Sequence, residues 1–137
     1  MGNGPLIMIV DDDGDTRHLL RLVLEHSGYS VAEATDGANL VGMLRTRRPA
    51  LIVLDVMMSW MDGFHLCRAL KRNPLYCDIP VCFLSARRSS SDIREGLSCG
   101  ADAYFVKPLD LDDFLPRVGQ LVQTGGALAE QAEAPQP

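Results

Sequence analysis

The sequence is short of the features that would take it to a membrane, to nucleic acid or into thiol redox chemistry. Its longest early apolar run, Leu6-Ile7-Met8-Ile9-Val10, is five residues and ends in three aspartates. Spanning a bilayer takes about 20 apolar residues, and the run also lacks the basic flank of a signal peptide. Positive charge is in deficit: 13 Lys and Arg stand against 18 Asp and Glu, a net charge of −5. That argues against a domain that binds nucleic acid through a broad basic surface. No two of the four cysteines (Cys67, Cys77, Cys82 and Cys99) form a CxxC pair. Zinc and thioredoxin-like chemistry therefore have no sequence support, and the thiols are expected to pack as small apolar residues in a reducing compartment. No internal repeat is visible. What remains is 137 residues, 47% hydrophobic and 23% charged, the size and balance of one globular domain with one core. The expected location is the cytoplasm.

Short apolar runs alternate with helical patterns. Strands are expected at Leu6–Val10, Ser30–Ala34, Leu51–Leu54, 80–84 and Ala103–Val106. The continuous apolar runs mark strands buried on both faces. Between them, helices are expected at 15–27, 37–47, 64–72, 91–98 and 111–123, with Gly28, Pro49, Asn73-Pro74, Gly100 and Gly125-Gly126 as stop signals. Five strands alternating with five helices predict an α/β fold, a doubly wound parallel sheet with helices on both faces. Residues 1–5 form an N-terminal extension, 6–123 the domain, and 124–137, rich in Ala, Glu, Gln and Pro, a flexible tail or linker. Pro116 would be costly inside a regular helix. A late start, with Asp113 as the N-cap, or a kink is expected there.

The polar residues carry the functional signal through their position. Strand 1 runs into Asp11-Asp12-Asp13, strand 3 into Asp55, strand 4 into Ser85 and strand 5 into Lys107. In an open parallel sheet the carboxyl ends of all strands share one edge, and ligands bind there. Crowded carboxylates repel unless a cation offsets them. A hard divalent cation suits oxygen donors, and Mg²⁺ commonly takes one or two carboxylates plus water and phosphate oxygens. A carboxylate beside such an ion can act as a nucleophile toward phosphorus and form an aspartyl phosphate. Lys107 and Ser85 have the chemistry to contact the phosphoryl oxygens.

The segments IMIVDDD, LIVLDVMMSWMDGF, VCFLSA and GADAYFVKP, in that order at the ends of strands 1, 3, 4 and 5, resemble the receiver domain of two-component response regulators, of the chemotaxis-regulator type. The resemblance covers about residues 6–123. It implies a flavodoxin-like sheet of order 2-1-3-4-5, and it implies roles. Asp55 would be the phosphoacceptor. The metal, Mg²⁺ or Mn²⁺, would meet Asp12, Asp55, the Met57 backbone carbonyl and, through water, Asp11. Lys107 would pair with the phosphoryl group, with a cis peptide between Lys107 and Pro108. Ser85 would be the switch hydroxyl and Tyr104 the aromatic that turns inward with it, altering the surface of helix 4, strand 5 and helix 5. Met57 and Arg87 would flank the phosphoryl group, and a bulky apolar group with a guanidinium there implies a long-lived phosphate. The implied partners are a sensor histidine kinase or histidine phosphotransfer protein and an unnamed downstream effector, with no direct contact to nucleic acid or membrane. Dimerisation through helix 4, strand 5 and helix 5 belongs to the same expectation, although Ala103, where many DNA-binding members carry an acid, and Pro116 weigh against it.

The chain also departs from the family. Members often read D-x-x-x-P-x-M-D-G, and here Ser59 stands at the proline, which is expected to leave that loop less rigid. Two other functions fit the residues less well. Asp11-x-Asp13-Gly14 resembles the opening motif of haloacid-dehalogenase-like phosphatases, with Asp11 as nucleophile, but Asp15 replaces the threonine and Asp55 would have no role. A phosphorylation-independent interaction module would not need Asp12, Asp55, Ser85 and Lys107 together. Blander assignments suit other residues: His18, His26 and His65 as helix-surface groups, and Arg45, Arg47 and Arg48 as a solvated helix end; Trp60, in the loop beside the site, is expected to be partly exposed, either as a partner contact or as a fluorescence reporter.

Overall fold

A computed structural model describes the backbone from Asn3 to Glu133 and side chains as far as Thr124. The strands are β1 (Leu6–Val10), β2 (Ser30–Ala34), β3 (Leu51–Leu54), β4 (Val81–Ser85) and β5 (Ala103–Val106). They alternate with α1 (Gly14–His26), α2 (Gly37–Thr46), α3 (Gly63–Arg72), α4 (Ser90–Ser98) and α5 (Leu111–Glu133). Every pairing in the sheet is parallel, as the alternation of strands and helices predicts, and the order is β2-β1-β3-β4-β5, as the family resemblance implies.

The apolar patterns account for this order. The continuous runs of β1, β3 and β4 are inner strands and almost entirely buried, whereas β2 and β5, at the two edges, alternate buried and half-buried positions. Side chains alternate across a strand, so each inner strand feeds two cores. Met8, Val10, Ile52, Leu54, Val81 and Phe83 pack with Leu40 and Leu44 of α2 and Phe64, Cys67 and Leu70 of α3. Ile7, Ile9, Leu51, Val53, Cys82 and Leu84 pack with Leu20 and Leu24 of α1 and Phe114 and Val118 of α5. Three of the four cysteines are buried and all four are free thiols. The three histidines are exposed on helices.

Two expectations about the last helix need correction. It begins at Leu111, the start expected from the helical pattern, and the alternative of a late start at Asp113 fails, because Asp110 caps it. The Asp110 carboxylate accepts from the Asp112 N–H (3.0 Å), and its carbonyl accepts from the Phe114 N–H (2.9 Å). Pro116 then lies inside the helix, where it cannot donate to the Asp112 carbonyl; both residues are exposed, so water can serve that carbonyl. The helix also does not end at Gly125-Gly126 but runs to Glu133. The segment after the glycines, ALAEQAE, consists of strong helix formers, which outweigh a cost of about 1 kcal/mol per glycine. Of the expected tail, 124–133 is therefore helical, and residues 134–137 lie outside the described residues.

Candidate functional site

Three consecutive aspartates leave β1 and take three different partners. Asp11, which is 3% exposed, accepts from the Asp13 N–H through Oδ1 (2.8 Å) and faces the Lys107 ammonium through Oδ2 (3.2 Å). Asp12 is exposed, and its Oδ2 accepts a hydrogen bond from the backbone N–H of Ser59 in the β3–α3 loop. Asp13 is the N-cap of α1: its carboxylate accepts from the Asp15 N–H (3.2 Å) and the Thr16 hydroxyl (2.6 Å). Of the three aspartates, Asp13 is the one that caps a helix. The second acid of the phosphatase-like motif is committed to that cap.

Asp55 follows β3 and is 8% exposed. Its Oδ1 accepts from the Val56 N–H (2.7 Å) and more weakly from the Met57 N–H (3.4 Å), while Oδ2 lies 3.3 Å from the Lys107 Nζ. Gly63 makes this approach possible. Its N–H donates to the Val56 carbonyl (2.7 Å), and a Cβ at this position would collide with the Asp55 carbonyl. Asp62 caps α3 through the Phe64 N–H (2.8 Å). Met57, exposed, bridges to Asp62 across the loop.

Lys107 therefore bridges two carboxylates that lie 44 positions apart in the chain (Asp11 and Asp55). Burial alone would lower the lysine pKa, but the charges and hydrogen bonds of Asp11 and Asp55 outweigh it and raise the value. Burial pushes the Asp11 carboxyl up, and the Asp55 charge adds to that, against the Asp13 N–H and Lys107. One ammonium thus offsets the local negative charge only in part. Among the described residues, no three His, Cys, Asp or Glu side chains close on a metal by themselves. The donors present are nonetheless all oxygens, the set a hydrated Mg²⁺ takes when one or two carboxylates and water complete its shell.

On the other side, Ser85 ends β4, 1% exposed, and its Oγ accepts from the Arg87 N–H (3.2 Å). The Tyr104 hydroxyl donates to the Arg87 carbonyl (2.7 Å), and its ring lies 5.7 Å from that of Phe83. Gly96 of α4 makes room for it: a Cβ there would stand 2.7 Å from Tyr104 Cδ2. The Arg87 guanidinium pairs with Asp92 of α4 (3.2 Å). The Lys107–Pro108 peptide is cis, and Arg88 donates to the Lys107 carbonyl (2.7 Å).

With this geometry in place, a family model described as the response regulator receiver domain matches residues 7–119. The chain belongs to the receiver-domain family of two-component response regulators. It is 42% identical over 125 residues to the transcriptional regulatory protein PrrA of Mycobacterium tuberculosis, covering 91% of this chain and 53% of that protein. It is 36% identical over 129 residues to the DNA-binding dual master transcriptional regulator RpaA of Synechocystis, covering 94% of the chain and 54% of that protein. The chain thus spans about half the length of the curated relatives it matches. Among solved structures, the receiver domain of a histidine kinase from Syntrophus aciditrophicus is 35% identical with a TM-score of 0.80, over 88% of this chain and 92% of that one. The receiver domain of a Francisella response regulator is 30% identical with a TM-score of 0.81, over 88% and 98%.

Some residues that shape this receiver site escape sequence reasoning. Arg17 donates to the Asp11 carbonyl (2.6 Å) and to Glu33 of β2 (3.1 Å). Arg88 braces the peptide after β5. Both act through contacts that no local pattern encodes. The Ser59 N–H is the third: the serine was visible as a departure from the family's proline, but the loop it was expected to loosen is tied to Asp12 instead.

Proposed function

We propose that this receiver accepts a phosphoryl group on Asp55 from a histidine kinase or histidine phosphotransfer protein. The observation that carries the reading is Lys107, whose ammonium stands 3.2 Å from Asp11 and 3.3 Å from Asp55. A partly buried lysine placed between two acids from different strands holds Asp55 oriented and offsets charge where phosphoryl oxygens would arrive. The Asp55 Oδ1 is fixed by backbone N–H groups, so the carboxylate is held in one orientation before any donor docks. In the transfer, a carboxylate oxygen of Asp55 forms the new bond to phosphorus while the phosphorus–nitrogen bond of the donor phosphohistidine breaks and the imidazole leaves. Asp12, Asp55 and the Met57 carbonyl, with Asp11 through water, would hold Mg²⁺, which when bound neutralises charge on the phosphoryl oxygens.

Readout would run through Ser85 and Tyr104. The Ser85 hydroxyl is buried at the end of β4 and shares Arg87 with Tyr104. A phosphoryl group that draws the Ser85 hydroxyl would shift the β4–α4 loop, and Tyr104 with it, changing the α4–β5–α5 surface. Phosphorylation acts only as far as it favours one of the two arrangements. For the donor, a groove of about 210 Å³ between α1 and the β5–α5 loop, lined by Thr16, Leu19, Leu84, Lys107, Pro108 and Leu109, offers an apolar seat next to Lys107. Leu19 and Leu22 of α1 are exposed, 45% and 54%.

The test is acetyl phosphate with Mg²⁺ on the wild type and on Asp55→Asn, read by intact mass. One added phosphoryl group is expected on the wild type and none on the variant. Equal labelling of the two proteins overturns the assignment, and labelling lost with Asp11→Asn but kept with Asp55→Asn would move the nucleophile to Asp11.

A further inference from the structure

The hydrogen bond between Ser59 and Asp12 joins two loops that both belong to the site. Asp12 sits in the β1–α1 loop and Ser59 in the β3–α3 loop, 47 positions apart in the chain. The rest of the β3–α3 loop is held from within: Val56 and Met57 N–H groups on Asp55, the Gly63 N–H on the Val56 carbonyl, and the Met57–Asp62 bridge. The next residue, Trp60, is half-buried and its ring packs where a Cβ on Gly37 would lie 3.2 Å away. Its Nε1 is buried with no hydrogen-bond partner among the described residues.

The donor in this bond is a main-chain N–H. Nineteen of the twenty amino acids supply one at this position; proline, which the family's motif often carries here, does not. Asp12, like Asp55, is a carboxylate expected to meet the metal directly. While its Oδ2 accepts from Ser59, part of its charge is already compensated, and a cation must displace or share that partner. We propose that the Ser59 N–H is a latch on Asp12: it holds the carboxylate and the β3–α3 loop together in the metal-free state, and loading Mg²⁺ releases it. Ser59 is thus a positioning residue that weakens metal affinity and makes metal occupancy visible to the loop beside Trp60. This inference rests on the magnesium reading of the site given above.

Three proteins test it by calorimetric Mg²⁺ titration: wild type, Ser59→Ala and Ser59→Pro. Ser59→Ala keeps the N–H and should bind as the wild type does. Ser59→Pro lacks it and should bind about tenfold more tightly, the size of one charge-assisted hydrogen bond. A second measurement needs no variant. Amide hydrogen exchange at Ser59 in the wild type should be slow without metal and accelerate when Mg²⁺ is added, whereas a loop contact with no link to the metal would exchange at the same rate in both. Equal or weaker binding by Ser59→Pro, or unchanged exchange at Ser59, overturns the latch while leaving the magnesium site standing. No Mg²⁺ binding by any of the three overturns the site reading and the latch together.

Discussion

The two ends of the sheet each pair a lysine with aspartate, and they differ in charge balance. At the amino edge, Lys71 donates to the Ile79 carbonyl (2.7 Å) and lies 3.5 Å from Asp102, whose carboxylate accepts from the Val81 N–H (2.9 Å). One cation meets one anion, and the spare groups are met by backbone. At the carboxyl edge, Lys107 serves two buried acids, and a third, Asp12, has only an amide. The first arrangement is complete as it stands. The second carries excess negative charge around a lysine that is itself partly buried, which is a poor way to stabilise a fold and a good way to receive a cation and a phosphoryl group. An ion pair in a site is therefore better judged by what it leaves uncompensated than by its distance.

The widest separation should come from removing each lysine. Lys107→Met leaves Asp11 and Asp55 facing one another and should cost about 2 kcal/mol without metal; adding Mg²⁺ should recover most of it. Lys71→Met should cost about 1–2 kcal/mol, from the carbonyl and carboxylate left without a donor, and Mg²⁺ should recover none. Thermal unfolding with and without magnesium decides this. A rescue common to both variants would erase the distinction between the two ends.

Neutralising an acid should act with opposite sign at the two ends, by about 1 kcal/mol each way. Asp55→Asn relieves repulsion with Asp11 and should stabilise the metal-free domain, the usual relation between a strained site and stability. Asp102→Asn weakens a matched pair and a strand-end hydrogen bond and should destabilise it. A pH series sharpens the contrast. The folded Asp11 carboxyl titrates above its ordinary value of 3.8. Its contribution to stability is thus fully present below that ordinary value and is lost as pH rises through the folded one. Asp55→Asn removes one cause of the rise, so the variant should gain less than the wild type on acidification from neutrality. A pH profile of unfolding identical in the two proteins would mean that Asp55 does not act on Asp11.

The sequence made the carboxyl edge far more legible than its wiring. The apolar runs LIMIV, LIVL and VCFLS, each ending in a polar residue, bring Asp11, Asp55 and Ser85 to one edge, because a parallel sheet leaves no other edge for them. Lys107 follows from the same logic. Partner choice within the edge did not follow. Adjacent aspartates are equivalent in a pattern, and only the turn leaving β1 divides them among an ammonium, an amide and a helix cap. Arg17 and Arg88 reach their carbonyls through contacts 6 and 19 positions away, on which hydrophobic periodicity is silent. The far end of α5 was misjudged for a different reason: Gly125-Gly126 carries a strong local stop signal, but the Ala- and Glu-rich stretch beyond it has helix propensity enough to continue.

The smallest effect expected concerns the thiols, and it asks whether the two ends communicate at all. Burial pushes the Cys67 thiol up to about 12 and raises Cys82 and Cys99 as well. At pH 8 a thiol with a pKa of about 12 is thiolate in only roughly one molecule in ten thousand, and thiolate is the reactive form. Cys77 is half-buried and lines a cavity of about 130 Å³ at the amino edge, with Lys71, Asp78, Pro80, Asp102 and Leu121. Mild alkylation of the folded domain should therefore add one group, at Cys77. The adduct lies at the opposite end of the sheet from Lys107, so its expected effect on labelling by acetyl phosphate is nil. Peptide mapping checks the site of the adduct and intact mass checks the phosphorylation. A modified domain that takes up phosphoryl groups more slowly than the unmodified one would mean that the balanced end is coupled to the charged one through β4, whose two ends carry Val81, held by Asp102, and Ser85.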